Sequence, residues 1–230
     1  MDADLSHVLE QVSKDKGIEQ DILISALEEA ILAAAKRTFG LERNLSAQYN
    51  PEKGAVDLVQ SITVVGRVED TFNEISIEEC QQRGIEVELG DEMVFPIYYL
   101  DRDAEAAKEQ DNMYGDILRL RTYRHSFGRV AAQTAKQVII QRIRDAERNI
   151  VYSEYKSRKG ELVTGNVRRS ERGNLIIDLG RAEAILPGRE QCPRETYRPG
   201  DRIQAYVTDV QEHARGPQIV LSRTSPELLI

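Results

Sequence analysis

Three histidines, two cysteines and an uneven spread of arginine are the residues of this chain whose chemistry could matter most. Nucleophilic hydrolysis wants a histidine beside a nucleophile, and metal chemistry wants clustered ligands. His7, His125 and His213 lie in three separate segments with no HxxxH or HExxH spacing, so each is expected at the surface or in a cap. Cys80 and Cys192 are far apart and show no CxxC spacing; each is expected as a free buried thiol, not a disulfide partner or metal ligand. No GxxxxGK[ST] loop is present, and no GxGxxG follows a strand pattern. The acidic residues are many but scattered, as on a solvated surface. This inventory assigns no catalytic residue, no metal and no cofactor, and the chain reads as a non-enzyme.

The arginines are more telling. The net charge of -8 argues against an indiscriminate nucleic-acid binder, but residues 160–230 hold ten Arg, no Lys and ten Asp plus Glu, so that segment is neutral. Residues 1–159 carry the whole deficit, with 21 basic and 29 acidic side chains. Guanidinium binds phosphate in a fork and stacks on bases, which ammonium does not. The bias toward Arg therefore reads either as a set of phosphate contacts or as the codon usage of a GC-rich genome.

The elements that would position these groups can be read from periodicity. Leu5, Val8, Leu9 and Val12 fall on one helical face, interrupted by Gly17. Ile22, Leu23, Ala26, Leu27, Ala30, Ile31 and Ala34 form a second stripe, with Gly40 at the stop. Leu41, Arg43, Leu45, Ala47 and Tyr49 then alternate as a strand, Asn50 to Gly54 is a turn, and Val56 to Val65 returns. Ser76-Ile77-Glu78-Glu79 fits a capping box for a short helix ending near Gly84, and Met93 to Leu100 reads as a further strand. Helices followed by a small antiparallel sheet predict an α+β head domain. Residues 101–124 carry little pattern; a surface hairpin or helical excursion is expected there.

After Gly128 no Gly or Pro occurs as far as Lys156. Val130, Ala131, Thr134, Ala135, Val138, Ile139, Arg142, Ile143, Ala146 and Ile150 keep helical spacing, so one long connecting helix is expected over about 126–156. Its first half should pack on the head and its polar end should carry a second domain. The predicted domains are therefore 1–156 and 157–230. The second has five strand patterns separated by Gly and Pro: Glu161–Val167 with a mid-strand Gly165, Leu175–Gly180, a short third over Ala184–Glu190, Arg202–Val210 and Gln218–Arg223. Five strands in so short a span predict an all-β, five-stranded OB-fold barrel. No apolar run reaches the about 18 residues of a membrane span. The start, Met1-Asp2-Ala3-Asp4, lacks the basic and apolar regions of a signal peptide, so a cytoplasmic protein is expected.

In this order, the segment FGRVAAQTAKQVIIQRIRDAER at 127–148 and the barrel pattern G-E-x-V-x-G-x-V, D-L-G, P-G-D, L-S-R resemble the bacterial transcription elongation, termination and antitermination family NusA. Arg189-Glu190, Pro193-Arg194-Glu195 and Arg198 to Arg202 are also typical of that family, and the barrel resembles an S1 RNA-binding domain. The stretch 99–125 looks inserted relative to the family pattern. The resemblance implies that the head docks on RNA polymerase near the RNA exit channel, at the flap of the β subunit, with Arg129 and Lys136 facing the polymerase. It implies contact between the barrel and nascent single-stranded RNA, with Arg223 at a family RNA-binding position and Arg189 and Arg202 as further candidates. Other elongation factors are candidate partners; a membrane is not. The family continues into two KH domains where this chain stops at Leu229-Ile230, so the chain reads as a fragment lacking them.

The barrel departs from strong RNA binders of its class. Their stacking aromatics fall near Ile176 and Ile185 here, and a common histidine near Pro187; only Tyr197 and Tyr206 are aromatic in this domain. Each missing base–aromatic stack removes on the order of 1–3 kcal/mol, so weak, electrostatic RNA binding is expected. Two other readings stay open. One is a ribosome- or mRNA-decay-associated RNA-binding adaptor; the other is an adaptor whose barrel binds protein.

Overall fold

The computed structural model describes residues 5–226, without the side chain of His125. The readings made of Met1 to Asp4, of His125 and of Leu229-Ile230 lie outside the described residues. The chain divides into two compact units, Met1–Ile143 and Arg144–Ile230.

In the first unit, α1 (Leu5–Lys16) and α2 (Gln20–Phe39) form as their stripes predict, and Gly40 closes α2 at φ 129°. The buried face of α2 is centred on Leu23, Leu27, Ile31, Ala35 and Phe39. Ile22 lies about 100° around the helix from Leu23 and is 47 % exposed, so it does not belong to the stripe assigned to it. Strand β1 (Leu45–Asn50) begins later than the alternation suggested. Arg43 is not a strand residue; it is buried, and its guanidinium donates to the Phe39 carbonyl (2.8 Å), Gln60 Oε1 (2.9 Å) and the Leu118 carbonyl (2.8 Å).

Strand β2 (Ala55–Val65) is the spine of the sheet. It pairs antiparallel with β1 from Leu45↔Gln60 to Asn50↔Ala55, and antiparallel with β4 (Glu92–Pro96) from Val59↔Pro96 to Thr63↔Glu92. It also pairs parallel with β3 (Glu74–Ser76), a three-residue strand too short to leave a pattern. The sheet is therefore mixed, not antiparallel. The strand read over Met93–Leu100 stops at Pro96, which has no N–H for a ladder, although the Ile97 N–H still reaches the Leu58 carbonyl at 2.7 Å. Ser76 caps α3 (Ile77–Gln82) as expected, its Oγ accepting the Glu79 N–H at 3.2 Å.

The unpatterned stretch is helical. A 3-10 turn at Asp101–Asp103 leads into α4 (Ala104–Leu118). Tyr114 packs edge-on to Phe95 at 5.2 Å, and Gln110 Nε2 donates to the Pro96 carbonyl at 2.8 Å. Arg119, at φ 50°, makes the break before α5 (Arg121–Lys156). This 36-residue helix starts five residues earlier than predicted because Leu118 and Leu120, both fully buried, anchor the turn that launches it. It buries Phe127, Ala131, Ala135 and Ile139 in the first unit and Tyr155 in the second. From Arg144 to Ile150 it buries nothing; Ile150, expected on the apolar stripe, is 57 % exposed.

The second unit closes a five-stranded barrel, consistent with the OB-fold, in the order β5 (Leu162–Glu171), β6 (Asn174–Asp178), β7 (Glu183–Leu186), β9 (Ile219–Ser222), β8 (Arg202–Val210). Val163, Val167, Leu175, Ile177, Leu186, Val207, Ile219 and Leu221 fill it. Gly165 is buried within β5: a Cβ there would lie 2.6 Å from Ile177 Cγ2 and 2.7 Å from the Asp178 carbonyl oxygen.

Candidate docking groove and nucleic-acid interface

The first unit carries an apolar groove of about 710 Å³ between α1, the Tyr99–Arg102 turn and α5. It exists because α5 presents Gly128, Ala131, Ala132 and Ala135 on that face, side chains too short to fill the space. Ile31, Val56 and Ile139 are buried beneath it, while Val8 and Ile140 stand 38 % and 39 % exposed at its edge. Arg129 and Lys136 are seven residues apart on α5, two turns along one face, and both line this groove with exposed side chains. Among the described residues neither makes an ion pair. The two residues singled out for polymerase contact are thus brought to one site. The groove's apolar wall was missed from sequence, since Leu5 and Val8 read simply as helix stripe and Ile140 was assigned to no stripe.

In the barrel, Arg202 and Arg223 line one polar depression together with Thr164, Glu195, Tyr197 and Gln204. Arg202 is exposed and makes no ion pair among the described residues. Arg223 is only 17 % exposed, and Glu195 grips it: Nε donates to Oε2 at 2.7 Å and Nη2 donates to Oε1. That contact holds the Glu195 carboxyl below the usual carboxylate range and raises Arg223 further. Arg189 sits on the adjoining 3-10 turn Gly188–Glu190, 85 % exposed, with Nε 3.7 Å from Glu190 Oε1. The Glu190 carbonyl accepts the Arg223 N–H at 2.9 Å, so the turn that carries Arg189 adjoins the chain at Arg223, which shares the depression with Arg202. Hydrogen bonds from the Ser222 and Thr224 hydroxyls hold Glu190 ionised to lower pH.

The β6–β7 face, where stronger RNA binders of this fold carry aromatics, pairs Ile176 with Ile185. Ile176 is buried. Arg168 and Arg169 beside it are matched by Glu183 and Glu171. That face is therefore self-neutralised, through pairings that depend on strand register and the bulge between Val167 and Arg169. His7 and His213 are exposed. Cys80 is a buried free thiol as expected; Cys192 is free but only half-buried, on the loop after the 3-10 turn. Among the described residues no cluster of His, Cys, Asp and Glu could hold a metal ion, and no helix is long and apolar enough to cross a membrane.

Residues 4–110 and 102–149 match the NusA N-terminal domain, and residues 156–222 match the S1 RNA binding domain. The two ranges meet and overlap at 102–110, within the segment read as inserted. The transcription termination/antitermination protein NusA of Bacillus subtilis is 39 % identical over 229 residues, covering 100 % of this chain and 55 % of that protein. The proteins of the same name from Rickettsia conorii and Thermus thermophilus are 37 % and 32 % identical, covering 99 % and 100 % of this chain and 40 % and 56 % of theirs. A solution structure of the N-terminal domain of NUSA from B. subtilis is 35 % identical, with a TM-score of 0.44, covering 63 % of this chain and 96 % of that one. The chain spans about half the length of the curated relatives it matches.

Proposed function

The chain belongs to the NusA family, and from that premise we propose that it is a non-enzymatic, cytoplasmic transcription factor that docks on RNA polymerase and contacts nascent RNA. The first unit engages the polymerase near the RNA exit channel, at the β flap, through the groove between α1 and α5. The observation that carries this reading is the joint placement of Arg129 and Lys136 on the rim of one open apolar groove. Apolar walls supply the burial and the two cations supply orientation against an acidic partner surface.

The barrel's share is electrostatic. Arg202 and Arg189 are exposed cations, Arg189 with Glu190 at 3.7 Å, and Arg223 shares the depression with Arg202 while held by Glu195. With no aromatic platform on β6 and β7, affinity for free RNA is weak. Linking the barrel to a polymerase-docked unit raises the effective RNA concentration it meets. The factor then modulates pausing, termination and antitermination by holding RNA, with no covalent step and no cofactor. An adaptor of the ribosome or of mRNA decay would use the barrel alone and would leave the groove without a role.

A pull-down of core RNA polymerase with the whole chain tests the docking. Retention of polymerase is expected; co-sedimentation with ribosomal subunits and no polymerase would favour the adaptor. A salt titration of RNA filter binding tests the barrel, since each phosphate contact contributes about 0.7 to the slope of log K against log salt on a single strand.

A further inference from the structure

The carboxylate of Glu195 stands where a phosphate would bind. Arg223 presents Nε and Nη2 to its two oxygens in a fork, and guanidinium holds a phosphodiester through the same pair of parallel bonds. Arg223 has other anchors. Its guanidinium Nη1 donates to the Gln204 carbonyl, and its backbone N–H donates to the Glu190 carbonyl at 2.9 Å, so both head group and main chain are held apart from the carboxylate. Glu195 is less firmly held. It sits in the irregular segment 191–201 between the 3-10 turn and β8. Apart from Arg223, its carboxylate takes the Tyr197 hydroxyl at 2.8 Å, and that hydroxyl in turn accepts the Cys192 N–H at 3.1 Å. Its side chain is 38 % exposed against 17 % for Arg223. Arg202 lines the same depression.

From this geometry we infer that Glu195 is a built-in competitor for nucleic-acid phosphate: RNA reaches Arg223 only by displacing it, and the pair sets the weakness of the barrel's grip. The inference rests on the reading that the barrel binds RNA. Release is an ion exchange, in which one phosphodiester replaces one carboxylate and the carboxylate returns to water. Tyr197 acts as a positioning residue, holding Glu195 in the competing pose.

The test is filter binding of a short oligouridylate to the whole chain across a salt series. Glu195→Gln should bind roughly three- to tenfold tighter at low salt, the net worth of an ordinary hydrogen bond, and its salt slope should steepen by about 0.7. Glu212→Gln changes net charge equally on an exposed turn and should gain much less. Adding Arg223→Ala to Glu195→Gln should abolish the gain. Tyr197→Phe leaves the net charge unchanged and should shift affinity the same way, by less. Inorganic phosphate should move the Arg223 Nε–H resonance in Glu195→Gln and not in the parent, a readout that needs no RNA and reports a folded site. If Glu195→Gln binds no tighter than Glu212→Gln while the parent chain binds RNA, the competitor is refuted and the RNA reading stands. If Glu195→Gln binds more weakly, Arg223 needs Glu195 for its pose and the inference is overturned. If neither chain binds RNA and phosphate leaves Arg223 unmoved, both readings fall.

Discussion

Gly128 of α5 passes so close to Tyr99 that a Cβ on it would lie 2.7 Å from the Tyr99 carbonyl oxygen. The contact seats the helix against the chain leaving β4. The Tyr99 ring meets Phe127 edge-on at 5.0 Å, and its hydroxyl donates to the Val56 carbonyl at 2.5 Å. The same close approach leaves the groove open above it. In a free helix Gly128→Ala would gain about 1 kcal/mol. Here the obstacle is backbone that cannot swing aside, and overpacking costs about 1–3 kcal/mol. The substitution is expected to lower the urea midpoint of the first unit, read by amide exchange at Phe127 to Ile139. An unchanged or higher midpoint would show that α5 is free to shift.

Gly165 makes the stronger case of the same kind. Its missing side chain faces Ile177, the Asp178 carbonyl and Leu179 at 2.6–2.8 Å, atoms of β6 and the residue after it in a closed barrel. Gly165→Ala should cost about 2–3 kcal/mol, more than Gly128→Ala, and should act on the barrel without disturbing the first unit. Thermal unfolding followed by amide exchange in β5 and β6 would separate the two.

Arg43 is buried with its donors spent on two carbonyls and the Gln60 side chain, and it lies 4.9 Å over the Phe72 ring. Arg43→Met fills the space and strands those acceptors. A loss of about 2–3 kcal/mol is expected, the scale of buried hydrogen bonds to a charged group. Arg43→Lys should recover little, because an ammonium cannot reproduce the fork. Equal stability of the Met variant and the parent would mean that desolvating the guanidinium cancels its bonds.

Acid should weaken both units. Arg83 holds Asp116, Lys159 holds Asp209 and Arg223 holds Glu195 below their ordinary values. A carboxylate with a depressed folded pKa contributes stability that is fully present above its unfolded value, about 4, and lost as pH falls through the folded value. Burial raises the Cys80 thiol, which has the opposite consequence: its contribution is full below about 8.5 and declines above. Urea midpoints should therefore be level near neutrality, fall below about pH 4 and fall again in mild alkali. Cys80→Ala should remove the alkaline loss and leave the acid one.

Much of this was legible in the residues. The capping box at Ser76, the stop at Gly40, the mid-strand glycine at Gly165 and five strand patterns are local signals, each fixed by a few neighbouring side chains. What escaped depends on distant partners. Strand β3 exists because Thr63 to Val65 offer it an edge, and Arg43 is buried because two remote acceptors, the Gln60 side chain and the Leu118 carbonyl, meet there. Helix α4 carries so many charges that its one docked face, around Gln110 and Leu118, is diluted beyond recognition. The arginines were visible as a set, but not which of them the fold matches with carboxylates: Arg168 and Arg169 on β5, Arg189 beside Glu190 and Arg223 with Glu195, while Arg202 is exposed with no ion pair among the described residues.

The groove carries the central claim, and the binding affinity of core RNA polymerase for the chain with Arg129→Glu and Lys136→Glu together tests it most directly. Both side chains are exposed and unpaired among the described residues, so the double variant should keep the parent's circular-dichroism melt. The account predicts at least a tenfold loss of affinity, about 1.4 kcal/mol, with the salt dependence of binding flattened. An undiminished affinity in the folded double variant would contradict it and move the docking surface elsewhere.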